Sequence, residues 1–179
     1  ITGNYVDNCT IEWTNERDPE PDFVSGFSFA AMCITDNIML CGNVAPWFSF
    51  IVVKPHGSGH FLNGVTISGN RFHSINGNID RVERVDTSFS DLDFTLTKKL
   101  TFDANAFHGI DKQAANPLRI SHAAGSVAQA WNVGVDDDLP FGGRLLSVDS
   151  IVAQGPILNA AGGVLYVSPY VRSEQGGGG

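Results

Sequence analysis

The chain has 179 residues, enough for one large or two small domains, and its 42% hydrophobic residues suffice for a core. With 11 Lys plus Arg against 19 Asp plus Glu, the net charge of −8 repels nucleic acid and anionic lipid alike, and no basic cluster offsets it. No apolar stretch approaches the roughly 20 residues of a membrane span, so membrane insertion is not expected.

From the first residue, one short phrase returns at an almost even spacing. It reads Ile1-Thr2-Gly3-Asn4-Tyr5-Val6, Ile34-Thr35-Asp36-Asn37-Ile38-Met39, Ile67-Ser68-Gly69-Asn70-Arg71-Phe72 and Phe102-Asp103-Ala104-Asn105-Ala106-Phe107. The asparagines are 33, 33 and 35 residues apart, a period that means stacked repeats, none able to bury its apolar face alone. Between them lie short β-type runs: Ile11 to Trp13, Phe27 to Phe29, Phe48 to Val53, His60 to Leu62, Val82 to Val85, Phe94 to Leu96 and Leu118 to Ile120. Counting the run that ends at each asparagine, three runs per repeat predict an all-β parallel β-helix over residues 1–122. Asn4, Asn37, Asn70 and Asn105 are expected at its corners, tolerating left-handed geometry and bonding one another as a ladder between rungs about 4.8 Å apart.

Beyond Ala123-Ala124-Gly125-Ser126, which reads as a connector, the phrase stops. Ala130 to Val135, Arg144 to Val152 and Val164 to Val171 alternate as half-buried antiparallel strands would, with turns at 136–140, Gly155-Pro156 and 161–163. Residues 123–175 are therefore expected as a small antiparallel β-domain that caps the solenoid or joins copies, and Gly176 to Gly179 as a flexible tail. A solenoid needs a polar cap at each free end, so a chain beginning inside a repeat is expected to be the C-terminal piece of a longer protein. Cys9, Cys33 and Cys41 lack the paired spacing of a zinc site. Cys9 and Cys41 are expected as stacked neighbours, as buried free thiols or, alternatively, as a disulfide.

The phrase, as it stands at Ile67 to Phe72, resembles the pectate-lyase-like right-handed parallel β-helix proteins, including those related to glycoside hydrolase family 28. The resemblance covers residues 1 to about 122 and is specific for fold rather than activity. A β-helix followed by a small β-rich unit is similar to phage tailspikes and the spikes of gene transfer agent particles. That resemblance implies a homotrimer on the surface of a virion-like particle, made in a bacterial cytoplasm, with other particle proteins as partners and bacterial capsular polysaccharide as ligand. Some members of those families cleave the glycan.

Insertions on one side of a β-helix stack beside one another, so residues 14–22, 54–60 and 86–93 are expected to share an edge. They carry Glu16, Asp18, Asp22, His56, His60, Asp86, Asp91 and Asp93. Sugar recognition needs flat aromatic faces beside hydrogen-bonding groups, which makes Trp13, Trp47, Glu16, His56, His60 and Asp93 candidate carbohydrate contacts. Glycoside hydrolysis needs two carboxyl groups about 5 to 9.5 Å apart, for which Asp91 with Asp18 or Asp22 is the candidate pair. A polysaccharide lyase would instead draw on Lys54, Arg17 and the histidines, while solvated loops need none of these roles. His73, His108 and His122 are read as structural. No cofactor is expected; a Ca2+ site from clustered carboxylates is the alternative, although no EF-hand spacing occurs. The leading expectation is a multivalent polysaccharide-binding spike, ahead of a polysaccharide hydrolase or lyase and of a shaft with no ligand site.

Overall fold

The computed structural model describes residues 1–126, 128–135 and 137–172. Its strands are β1 (Tyr5–Asp7), β2 (Ile11–Thr14), β3 (Phe29–Ala30), β4 (Cys33–Thr35), β5 (Ile38–Cys41), β6 (Ile51–Lys54), β7 (Leu62–Ser68), β8 (Arg71–Ser74), β9 (Ile79–Arg81), β10 (Glu83–Val85), β11 (Lys98–Asp103), β12 (Ala106–His108) and β13 (Ile110–Lys112). After a 3-10 turn at Pro140–Gly142 come β14 (Ile157–Leu158) and β15 (Val164–Leu165). Strands β1 to β13 pair with one another in parallel, as columns β1-β5-β8-β12, β2-β6-β10, β3 and β4 with β7 then β11, and β9-β13, and Phe102 of β11 also makes an antiparallel bridge to Asn116. The result is a parallel β-solenoid of about three turns with a 33-residue period.

Register explains the repeated phrase. Cα pairing aligns Ile34 with Ile67 and Ile67 with Phe102, and all three side chains are fully buried. Two residues past each asparagine, Val6, Met39, Phe72 and Phe107 form a second inward column. Phe72 and Phe107 stack with ring centroids 5.7 Å apart. Between these columns the asparagines form a ladder. The Asn4 backbone N–H and Nδ2 donate to Asn37 Oδ1 at 2.9 and 3.1 Å. Asn37 does the same to Asn70 at 3.0 and 2.9 Å, and Asn70 to Asn105 at 3.0 Å for both. Each Nδ2 also donates to a main-chain carbonyl, Asn70 to Ile34 and Asn105 to Ile67.

The left-handed residue at this corner is the one before the asparagine, not the asparagine itself. Gly3, Asp36, Gly69 and Ala104 have φ of 66°, 56°, 68° and 52°. That conformation costs a non-glycine residue about 1–2 kcal/mol, which the ladder bonds on the following residue offset. A second left-handed column, Ala31, Gly64 and Lys99, separates β3 from β4 and bends β7 and β11.

Several predicted runs differ, and Phe27 to Phe29 and His60 to Leu62 are strand only at their last residue. Phe94 to Leu96 is a turn and Leu118 to Ile120 forms no strand. Phe48 to Val53 forms a strand only from Ile51, with Trp47 and Phe48 in the preceding turn. Cys9 and Cys33 are exposed and Cys41 is buried; all three are free. With Asp7 opposite Leu40, Cys9 lies one step out of register with Cys41, which explains the absence of pairing.

The last rung is covered by a return of the chain. Phe141, buried in the turn, donates its N–H to Glu83 Oε1 at 3.2 Å, and Arg81 Nη2 donates to the Leu139 carbonyl at 2.9 Å. Arg81 also grips Glu83 Oε1 through Nε and Nη2, at 2.9 and 2.6 Å. Lys112 lies 3.4 Å from both Asp80 and Asp137. Glu83 stands in the inward register position of Ile11 and Ile51 and is fully buried, so its carboxyl is pushed up, with Arg81 pulling it back.

Past this cap the predicted antiparallel unit is a single two-stranded pair, β14 with β15, closed by a turn in which Asn159 Oδ1 accepts from the N–H groups of Ala161 and Gly163. Arg144 to Val152 forms no strand. No residue from 144 to 172 is buried. The predicted Gly tail, residues 173–175 before it, and Asp136 of the predicted turn lie outside the described residues.

Candidate functional site

The three inserted stretches contact one another on one edge of the solenoid. The first and second are joined by side chain to main chain: Asn15 Oδ1 accepts from the His56 N–H at 2.8 Å and its Nδ2 donates to the His56 carbonyl at 2.9 Å. Asp22 Oδ1 accepts from the Ser58 N–H and Oγ–H at 2.7 and 3.0 Å. Approach is closest at Gly57, whose φ is +80° and where an added Cβ would sit 2.3 Å from the Pro21 carbonyl group; only glycine fits there. The second stretch meets the third where Phe89 stacks on His56 at 4.2 Å, with Lys54 Nζ 5.2 Å from the Phe89 centroid. The Asp93 N–H donates to the His60 carbonyl at 2.6 Å.

His60 is the buried pin of this edge. Its Nε2 lies 2.7 Å from the Pro21 carbonyl, a distance that two acceptors would not tolerate, so Nε2 carries the proton and donates. Nδ1 is then the acceptor for the Ser28 hydroxyl at 3.1 Å, and Ser28 Oγ in turn accepts from the Phe61 N–H. The ring is fixed on both sides and lies against Phe23 and Phe29. His60 therefore joins the loops rather than facing a ligand.

The carboxylates are used in turns. Asp18 accepts from the Glu20 N–H, Asp86 from the Ser88 N–H and hydroxyl, Asp93 from the Thr95 N–H and hydroxyl, and Asp91 from the Leu92 N–H. Ser58 hydrogen bonds hold Asp22 below the usual carboxylate range, as hydrogen bonds from Ser88 hold Asp86 and from Thr95 hold Asp93. Glycoside hydrolysis requires one carboxyl group kept protonated. Asp22, Asp86 and Asp93 are shifted the opposite way, and the raised carboxyl, Glu83, is sealed under the cap.

The two tryptophans are not brought together as a platform. Trp13 lies in β2 in register with Val53, half-buried, its ring edge-on to Phe29 at 5.1 Å. Trp47 is 73% exposed in the turn before β6. Aromatic surface on the edge comes instead from Phe89, which is 63% exposed. Phe89 stands within Thr87-Ser88-Phe89-Ser90-Asp91, and an aromatic residue amid polar turn residues was the signal for it. Glu16 is exposed on the same edge. Among the described residues no group of three or more His, Cys, Asp or Glu side chains is placed to hold a metal ion, so the Ca2+ alternative has no assembled ligand set. His73 and His108, on adjacent rungs, lie edge to face at 4.2 Å. No helix among the described residues is long and apolar enough to cross a membrane. Comparison with protein-family models, with curated proteins and with solved structures finds no match to this chain.

Proposed function

We propose that this chain is a pectate-lyase-like, right-handed spike protein that self-associates, as a trimer, on a virion-like particle and binds bacterial surface polysaccharide through the edge built by residues 14–22, 54–60 and 86–93. The observation that carries the reading is the stacking of three successive insertions into one polar edge bearing the exposed ring of Phe89. A long polymer of repeating units is the ligand such an edge suits, because it can lie along the rungs and meet equivalent loops in turn. Sugar C–H faces pack on rings such as Phe89, and hydroxyls find the loop carboxylates and amides. Self-association is supported by the run from 144 to 172, where Val152, Tyr166 and Tyr170 are 80%, 97% and 89% exposed. Copies joined there would multiply weak sites into retention. Cleavage finds less support, since Asp22, Asp86 and Asp93 are all held toward the ionised form.

The test is retention of the purified protein on capsulated and capsule-free cells, with mass in solution followed by sedimentation and with chromatography of any glycan released. Retention on capsulated cells alone, without cleavage, by an oligomer is the expected result. Release of oligosaccharide would replace adhesion with hydrolysis or lysis of the chain. Equal indifference to both cell types would leave a shaft.

A further inference from the structure

The dipeptide Asn-Gly occurs twice, at Asn63-Gly64 and Asn76-Gly77, and the fold treats the two differently. In such a pair the glycine nitrogen can reach the carbonyl carbon of the asparagine side chain, because glycine has no Cβ in the way and the widest choice of backbone angles. Whether it does so in a folded chain depends on how firmly the backbone is held. Asn63-Gly64 lies inside β7, half-buried between two rungs. Asn63 is in register with Ala30 on one side and Lys98 on the other, and its carbonyl accepts from the Ala31 N–H at 2.9 Å. Turning it toward the Gly64 nitrogen would break the ladder.

Asn76-Gly77 lies in the corner between β8 and β9, and both residues are exposed. Among the described residues the Asn76 side chain has one hydrogen bond, from Nδ2 to Asn43 Oδ1 at 3.5 Å, the outer limit for such a bond. Gly77 has φ of +134°, a Cβ placed on it would meet nothing within 4 Å, and its N–H has no acceptor among the described residues. The corner is fastened around this pair. The Ile75 N–H donates to the Cys41 carbonyl at 2.9 Å, the Ile79 N–H to the Gly109 carbonyl at 3.1 Å, and the Ser74 hydroxyl to the Gly77 carbonyl. Those bonds leave the Gly77 nitrogen and, apart from its one long bond, the Asn76 amide unengaged.

We propose that Asn76 is a self-modification site, deamidating through a cyclic imide to aspartate and isoaspartate in the folded protein, while the rungs on either side protect Asn63. The Gly77 nitrogen bonds to Asn76 Cγ as the Cγ–Nδ2 bond breaks, and ammonia leaves with the proton that the nitrogen gives up. Water then opens the imide and is the only co-reactant. Addition at Cγ breaks the new bond and yields aspartate. Addition at the main-chain carbonyl carbon breaks the original peptide bond and yields isoaspartate, with the chain now running through Cγ. Either product adds negative charge to a chain already at −8, and isoaspartate also lengthens the path between Ile75 and Ile79, which neighbouring rungs hold in place. The chemistry needs no ligand and stands whether or not the edge binds polysaccharide.

The experiment ages the purified intact protein at neutral pH and follows the two Asn-Gly peptides by mass spectrometry, with isoaspartate counted by isoaspartyl methyltransferase labelling. The parent is run folded and in urea, beside Asn76→Gln, whose longer side chain closes a ring far less readily, and thermal melts show that the variant is folded. The expected result is conversion of Asn76 at least about tenfold faster than Asn63 in the folded protein, with isoaspartate among the products. In urea the two rates should be similar, and Asn76→Gln should accept no methyl group in this corner. Three results overturn the inference: Asn63 converts as fast as Asn76 in the folded protein, Asn76 yields aspartate without isoaspartate, or neither converts. Asn63 staying slower in urea as well also overturns it, placing its protection in the local sequence rather than in the rungs.

Discussion

Residues 33–41 and 144–152 look alike on paper, each a short run in which apolar and polar side chains intermix between turn residues. In the first, Ile34, Met39 and Cys41 are completely buried; in the second, Leu146, Val148, Ile151 and Val152 are 43 to 80% exposed. The difference lies in what flanks them. Residues 33–41 have another rung on either side, so each inward residue has partners above and below and each backbone group a place in a ladder. Residues 144–152 have the same potential but belong to no strand and keep their apolar side chains exposed. A repeat supplies buried partners above and below each inward residue, and the segment from 144 to 152, outside the repeats, leaves its apolar side chains exposed.

The largest expected contrast is between core truncations in the two regions. Phe102→Ala removes a fully buried ring from an inward column and is expected to lower stability by about 3–5 kcal/mol. Tyr166→Ala, at a position 97% exposed, should fall within about 0.5 kcal/mol in a dilute single chain. Urea denaturation of both variants measures this, and equal losses would mean that the tail is packed as tightly as the solenoid. A smaller effect is expected along the ladder. Asn70→Ala leaves the buried Asn37 N–H without its acceptor and removes the side-chain donor to the Ile34 carbonyl, while Asn105 Oδ1 keeps the bond from the residue 70 N–H, for a loss of about 3 kcal/mol, whereas Asn4→Ala, at the exposed first rung, should cost less than about 1 kcal/mol. If the denaturation midpoints of these two shift alike, the ladder is not cooperative with the core.

The smallest effect is a pH dependence that distinguishes cap from edge. The Glu83 carboxyl is raised by burial in the folded chain, so its contribution is fully present below its unfolded value and is lost as pH rises through the folded one. Glu83→Gln stays neutral at every pH, so its melting temperature relative to the parent should be most favourable near pH 7 and fall back toward pH 4.5. The edge carboxylates behave in the opposite sense. Asp22, Asp86 and Asp93 are lowered by hydrogen bonds, and what they contribute above their ordinary values is lost as pH falls through the folded ones. Melts across pH 3 to 7 of Glu83→Gln and Asp22→Asn check both signs, and a Glu83→Gln difference that widens toward acid would contradict the burial argument.

Much of this was legible in the chain, for reasons visible in particular residues. Asn37 and Asn70 announce the corner because only a side chain with both donor and acceptor can continue a ladder in either direction. The left-handed residue was misplaced by one position because two of its four occupants, Asp36 and Ala104, are not glycine. Trp13 and Trp47 sit near equivalent places in the repeat, yet a turn at Pro46-Trp47 delays β6, and the rings end up in unlike surroundings.

Periodicity by itself determined the solenoid, its 33-residue step, the inward columns and the adjacency of the three insertions, because a repeated segment can bury its apolar face only against its own copies. The tertiary structure alone decided that, within the segment read as a cap, the Pro140–Gly142 turn is the part that closes over Glu83 and Arg81. It also decided that Asp22 meets Ser58 across the edge and that His60 is locked between Pro21 and Ser28. Those outcomes depend on which side chains meet across distances of 30 residues or more, as between Ser28 and His60, and no local pattern encodes such a meeting.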